Sequence, residues 1–390
     1  MMRVAYVCAD PGVPVFGSKG CSVHVQEIVR ALIRRGARVD LFAARVGGAV
    51  PDGLEEVVVH QLPCAGKGEA AERERAQRRA NAALGGALEA GAYDLVYERY
   101  SLWSHAGLDF AQRRGIPVVL EVNAPLIEEQ AAHRSLVDRE GAREVARQVF
   151  CGASEVVCVS TEVARHVESF AVPASRVHVV PNGVSPERFG AHVPASMPAA
   201  GAYTIGFVGT LKPWHGLNYL IDAFDALHRR VPQSRLLMVG HGRAREELEG
   251  ACVSRGLGGR VDWTGAVTPR EVPGLVRSMD VGVAPYPAME RFYFSPLKVL
   301  EYMAAGLAVV ASDVGEVGQV VEEGRTGLLV PPGDAAALCE AMYRLWEDVD
   351  LRRRLGAAAR EEVLAHHTWD QALARILALP GLSRRERVLS

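Results

Sequence analysis

The chain has 390 residues with 44 Lys and Arg against 46 Asp and Glu, a net charge of −2, and 49% hydrophobic residues. This near balance excludes a strongly basic nucleic-acid binder and an acidic tail protein, and the length favours two or more domains over one. The seven cysteines (Cys8, Cys21, Cys64, Cys151, Cys158, Cys252, Cys339) are scattered with no C-x-x-C pair, so neither a zinc site nor a disulfide framework is expected, and a reducing, cytoplasmic compartment is.

The apolar stretch Val4–Ala9 is too short for a signal peptide and ends at once in Asp10 and Pro11; it reads as the first strand of a buried sheet. No apolar run approaches the ~18 residues of a membrane span. A Gly- and Pro-rich loop follows. Val25, Ile28, Val29, Leu32 and Ile33 then recur at helical spacing, and Gly36 is the stop signal. Arg38–Ala43 is the next expected strand. Val57–Leu62, Leu95–Tyr97, Val118–Val122, Val156–Val159 and Val177–Val180 follow, separated by helical stretches. The charged segment Glu69–Arg79 reads as a solvated helix. Residues 191–202, small and Pro-rich, read as a linker. The pattern restarts with Thr204–Val208, then Arg235–Val239, Val261–Thr264, Val281–Ala284, Ala308–Ala311 and Gly327–Val330. Short apolar strands between helices predict parallel sheets covered on both faces. The expected organisation is α/β, with two doubly wound Rossmann-like domains, 1–190 and 203–368, facing a central cleft, and a final segment 369–390. Ligands in such folds lie beyond the carboxyl ends of the strands, so the loops after strands are where chemistry is sought.

The most informative of these loops leads from Tyr286 into a helix. Ser295 is a good N-cap and Pro296 suits the first helical position. The free N–H groups of that first turn and its positive dipole end make an anion site, to which Lys298 adds a full charge. Glu301, a turn further in, is unfavourable beside a phosphate unless it accepts hydrogen bonds, which sugar hydroxyls would supply. The same residues also fit an ordinary capped helix with a surface Glu. The loop after Thr204–Val208, GTLKPWHG, sets Lys212 between two glycines; it is either a phosphate-binding cation or a solvated loop lysine, and Trp214 is read as packing beneath the loop. Glu121 reads as a salt-bridged Glu or a site residue beside Asn123. Glu98 and Arg99 read as an exposed pair or as lining a site.

The segment S-P-L-K-V-L-E-Y-M-A-A-G, residues 295–306, resembles the nucleotide-sugar signature of family-four retaining glycosyltransferases of GT-B fold, and the resemblance extends in order over nearly the whole chain. It implies that Glu301 holds the donor ribose and that Ser295, Pro296, Leu297 and Lys298 cradle its diphosphate. Thr210 and His215 stand where similar enzymes carry Arg and Lys, so Lys212 takes over as cation. Tyr293 stands eight positions before Glu301, where the family has a second Glu near the donor sugar. Gly20 matches the key glycine of the first-domain loop, Lys19 replaces a glycine there, and His24 matches a frequent His, a catalytic candidate that equally fits a helix-cap or core histidine. Asn123 replaces a His that faces the reacting sugar; Val267 falls where backbone meets the nucleotide base. The last helix, from Thr368-Trp369-Asp370, crosses back to the first domain in that family.

The function so implied is transfer of a sugar from a nucleoside-diphosphate donor to an acceptor hydroxyl, with retention and without a metal or other cofactor. A sugar-nucleotide epimerase and a catalytically silent binding protein of the same architecture are the alternatives. Expected partners are the donor and a hydroxyl acceptor, with no nucleic acid and no transmembrane segment; the oligomeric state is left open.

Overall fold

The computed structural model describes residues 1–382 except Ala65 and Lys67, and the chain forms two compact units. The first runs from Met1 to Pro181 and takes up the chain again from Trp369; the second is Asn182–Thr368.

The first unit is a seven-stranded parallel sheet of β1 (Arg3–Cys8), β2 (Arg38–Ala43), β3 (Val58–Gln61), β4 (Leu95–Arg99), β5 (Val118–Val122), β6 (Glu155–Cys158) and β7 (Val177–Val179), in the order β3-β2-β1-β4-β5-β6-β7. Each expected strand of this half is present. The strand order reverses between β1 and β4, the point at which doubly wound sheets open a crevice. Central strands are covered on both faces and therefore read as largely apolar runs, interrupted by buried charges, those of β4 and β5 among them. The helix Gly20–Arg34 buries Val25, Ile28, Val29 and Leu32 and ends before Gly36, whose φ of +78° is a glycine conformation. Its outer flank meets the helix Trp369–Leu377 through Trp369, which is buried, and through Arg34, whose Nε donates to the Asp370 carboxylate at 3.0 Å.

Two expectations in this unit are corrected. The charged helix Ala70–Glu89 is more than a solvated face, because buried Glu74 accepts the N–H groups of Val137 (2.7 Å) and Asp138 (3.1 Å), and Asn81 accepts those of His105 and Ala106. Glu98 and Arg99 belong to β4 and are buried, so they are not an exposed pair.

The second unit is a six-stranded parallel sheet of β8 (Tyr203–Val208), β9 (Ser234–Val239), β10 (Val261–Gly265), β11 (Val281–Ala284), β12 (Ala308–Ser312) and β13 (Leu328–Val330), ordered β10-β9-β8-β11-β12-β13. One face is closed by Phe207, Leu220, Phe224, Met238 and Val283, the other by Val239, Val299, Tyr302, Met303 and Val309. Residues 191–202 are not a linker but part of this unit. The N–H of Ser196 donates to Gly274 O (2.9 Å), that of Met197 to Ser278 Oγ (2.9 Å), and Arg235 donates to Met197 O (2.9 Å). The small residues that suggested flexibility permit a flat approach: a Cβ at Gly274 would collide with the Ser196 hydroxyl. The boundary therefore falls at Pro181, and Val184 bridges to Thr368 beside it.

Candidate functional site

The loops after β8, β9 and β11 meet backbone to backbone. Gly209 N–H donates to Val239 O (2.9 Å) and Leu211 N–H to His241 O (3.2 Å). Cβ atoms at Gly240 and Gly242 would strike the carbonyls of Gly209 and Leu211, and one at Gly216, whose φ is +68°, would strike the Pro285 carbonyl. This close approach brings the helix Leu297–Ala304 and the 209–216 loop to one place.

Lys298, the second residue of that helix, points its ammonium to within 4.2 Å of the Phe207 ring centroid and 5.1 Å of that of Tyr286, beside Gly209. Its buried Nζ has no hydrogen-bond acceptor among the described residues. Burial pushes its pKa down to about 7, against the pull of Glu301. The Ser295 hydroxyl is likewise buried without a partner. Ser295 does not cap the helix as its type suggested. Pro296 is the N-cap residue, the Leu297 N–H turns back to the Ser295 carbonyl at 3.0 Å, and the hydroxyl is left over. Two buried donors without acceptors at one helix N-terminus describe a site for an anion.

Glu301 lies one turn inside. Burial pushes its carboxyl up to about 7, with Arg188 and Lys298 opposing. Arg188, in the turn Pro186–Phe189, was not singled out from the sequence; its Nη2 donates to Pro269 O at 2.6 Å, which anchors it. The ionisation of Lys298 and Glu301 near neutrality has a testable consequence. For a nucleoside diphosphate seated as the resemblance implies, affinity falls above about pH 7 by up to about tenfold per unit as the free protein must take up a proton at Lys298. It also falls below about pH 7 as Glu301 loses its acceptor form. Titration calorimetry from pH 5.5 to 9 resolves both limbs, and Lys298→Arg removes the alkaline one. A flat wild-type profile counts against the assignment.

Lys212 is exposed, and its Nζ stands 4.4 Å from the Trp214 ring centroid. Trp214 is half-buried rather than tucked beneath the loop. His215 is no substitute cation. Its Nδ1 lies 2.7 Å from Thr210 O and so carries the proton, and its ring sits among Phe207, Trp214 and Tyr286. Burial, followed by the charge of Lys298, pushes its pKa down to about 3, so it is neutral and pins the Thr210 carbonyl. Tyr293 is half-buried with its ring 4.4 Å from that of Phe294. Val267, in the loop after β10, is half-buried against the core face that holds Val299 and Met303.

The first-unit candidates separate into two groups. Lys19 is the exposed N-cap residue of the helix that Gly20 begins. His24 is a core residue: its buried imidazole pairs through Nε2 with Glu121 and meets Trp369 edge-on at 4.9 Å. Of its readings this position fits the core histidine. Burial alone would raise the Glu121 carboxyl, but His24, Arg99 and Asn123 outweigh it and hold it at about 2. Asn123, half-buried, donates to Glu121 Oε1 at 3.0 Å. Beyond the ends of β1 to β4 lies a shallow surface depression lined by Pro11, Leu62, Asn81, Leu84, Leu102 and Ser104. Beneath it, Ser104 donates to Glu98 Oε1 at 2.5 Å, and burial pushes that carboxyl up to about 7.

Among the described residues no three His, Cys, Asp or Glu side chains converge as a metal-ligand set, and no helix is long and apolar enough to cross a membrane. The Asp-x-Asp run Asp348-Val349-Asp350 is a helix start, with Asp348 accepting the Leu351 N–H at 2.8 Å.

Residues 18–188 match the family described as Glycosyltransferase Family 4, and residues 202–348 that described as Glycosyl transferases group 1. The chain is 29% identical to a D-inositol 3-phosphate glycosyltransferase of Xylanimonas cellulosilytica over 94% of its own length and 93% of the relative's. Among solved structures it resembles sucrose-phosphate synthase from Thermosynechococcus elongatus (TM-score 0.77, 23% identity, 100% of each chain). It also resembles Anabaena HepE in complex with UDP and glucose (TM-score 0.72, 22% identity, 97% of this chain and 100% of the other). With two Rossmann-like parallel-sheet units, and with both halves matched in chain order, the chain belongs to the family-4 glycosyltransferases of GT-B type.

Proposed function

We propose that the protein transfers a sugar from a nucleoside-diphosphate donor to an acceptor hydroxyl, with retention at the anomeric carbon and without a metal ion. The observation that carries this reading is the pair of buried donors without acceptors, Lys298 Nζ and Ser295 Oγ, at the start of the helix that also bears Glu301. A relative that acts as a glycosyltransferase and a similar fold solved with UDP and glucose support it.

In this scheme the diphosphate seats at Ser295, Pro296, Leu297 and Lys298, and Glu301 accepts the ribose hydroxyls. Negative charge grows on the diphosphate as the glycosidic bond breaks. Lys298, Lys212 and the helix dipole stabilise it without reorganising. Thr210 shapes the loop through its carbonyl, and Val267 lies on the base side. Asn123 offers an amide to a hydroxyl but cannot take a proton, and His24 is engaged in the core. The departing phosphate oxygen therefore accepts the proton of the attacking hydroxyl on the same face.

The test is a thermal-shift screen over UDP, GDP, ADP and dTDP and their hexose conjugates, followed by transfer assays with the donor that binds. A ligand at a hundred times its Kd stabilises the fold by about 2.7 kcal/mol. Transfer with retained configuration in excess chelator is the expected result. Activity lost to chelator and restored by a divalent ion overturns the metal-free scheme, and isomerised donor in the absence of any acceptor identifies an epimerase instead.

A further inference from the structure

Phe189 is fully buried in the core face that also holds Val184, Val299, Leu300 and Met303, so the turn Pro186–Phe189 is plugged against the helix Leu297–Ala304. The residue before this plug, Arg188, is half-buried. Its Nη2 donates to Pro269 O at 2.6 Å, and its guanidinium carbon lies 5.5 Å from the Phe189 ring centroid. Pro269 comes two residues after Val267, which packs on the same core face. One guanidinium thereby joins the turn, the loop after β10 and the field of Glu301 on the helix.

A neutral donor would be enough to brace a loop carbonyl. The permanent charge of Arg188 gains its meaning from what else faces Glu301. Lys298, on the same helix, turns its ammonium to Phe207 and Tyr286. Strands β11 and β12 are apolar where the helix packs on them. Tyr302 is neutral; its hydroxyl accepts the Val208 N–H at 2.8 Å and donates to Val283 O at 3.4 Å. Arg277 and Arg360 donate to the carbonyls of Ala305 and Ala304, at the far end of the helix. Glu271 accepts the N–H and hydroxyl of Thr268, both at 2.7 Å, and Glu187 is exposed. Among the described residues Arg188 is therefore the charge that most opposes the burial of Glu301. A carboxyl group offers both oxygens to a pair of hydroxyls only while it is ionised.

We propose that Arg188 is a positioning residue for the donor: anchored on Pro269, it keeps Glu301 in the carboxylate form that accepts the ribose hydroxyls. This rests on the nucleotide-sugar reading above. Arg188 acts through Glu301 and not by touching the diphosphate.

The test is titration calorimetry of the full chain with UDP, GDP, ADP and dTDP between pH 5.5 and 9. In Arg188→Met the acid limb of the affinity moves from about pH 7 to about pH 8, the scale on which one nearby charge acts. Affinity then falls by about fivefold at pH 7 and stays within about 1.5-fold of wild type at pH 9, where Glu301 is ionised in both proteins. Arg188→Gln, which keeps a donor for Pro269 O but no charge, moves the limb in the same way, and Arg188→Lys leaves it near pH 7. In a Glu301→Gln background Arg188→Met has no further effect. A loss of equal size at every pH, or one that persists beside Glu301→Gln, describes a brace for the loop and overturns the proposal. So does a wild-type profile in both Arg188→Met and Arg188→Gln. If no nucleoside diphosphate binds the wild-type chain, the donor reading itself fails, an outcome separate from normal wild-type binding with an unmoved acid limb in the variants.

Discussion

Lys298→Ala lowers kcat/KM for the donor by roughly 10²–10³-fold, about 2.7–4 kcal/mol of barrier, the scale on which a preorganised electrostatic partner acts. The same substitution leaves the melting temperature unchanged or higher. The Lys298 ammonium is desolvated, contacts the faces of Phe207 and Tyr286, and holds no hydrogen-bond acceptor among the described residues. Keeping a cation there costs the empty protein free energy, and the penalty shows as the depression of its pKa to about 7. Removing it relieves that penalty and takes away the group that the leaving diphosphate needs. Lost turnover with retained or improved stability separates a residue kept for chemistry from one kept for packing. Glu301→Ala and Lys212→Ala follow in the same direction at about tenfold or more. Steady-state kinetics with the donor found by screening, paired with thermal unfolding, decide the matter. Wild-type kinetics in Lys298→Ala and Glu301→Ala together remove the site from this helix.

The second large effect falls on stability. Glu121→Leu destabilises the first unit by about 3–5 kcal/mol, because one member of a buried ion pair is removed and its partner stays buried without compensation. The carboxylate pairs with His24, accepts from Asn123, and lies within the field of the buried Arg99 guanidinium. Arginine cannot shed its proton to escape. Calorimetry of the variant shows an early transition for the first unit, and the Asn182–Thr368 unit melts as before. The pH dependence has a definite sign. The folded value, about 2, lies below the ordinary carboxylate value near 4.3, so the stabilisation is complete above that ordinary value and disappears as pH falls through about 2. Glu121→Leu lacks this acid dependence. A variant as stable as wild type at pH 7 shows that the pair is dispensable.

What could be read from the chain alone was local. Val118–Val122 and Val281–Ala284 are bounded in the structure as their largely apolar patterns suggest, because strands covered on both faces favour apolar residues, with the paired Glu121 the exception. Strand β4 extends two residues past its expected end, since Glu98 and Arg99 are charged yet buried, a state permitted only by Ser104 and Glu121, which lie elsewhere in sequence. His24 and Glu121 lie about a hundred residues apart in the chain, so their pairing left no periodic trace. Residues 191–202 misled through composition, where small side chains mean either freedom or close contact, and only the neighbour, Gly274, distinguishes the two. At the site, Lys298 and Glu301 were legible from helix spacing and the resemblance. Arg188 was not, because its relation to Glu301 crosses more than a hundred residues.

The first unit takes its chain from both sides of the second, with the Trp369–Leu377 helix docked on Gly20–Arg34. During synthesis the ribosome therefore delivers the second unit whole before the first can be finished. The first sheet must wait, with part of the Gly20–Arg34 flank uncovered, until Trp369–Leu377 emerges, which inverts the usual order in which domains mature. Deleting that helix would thus injure the half of the molecule that is made first.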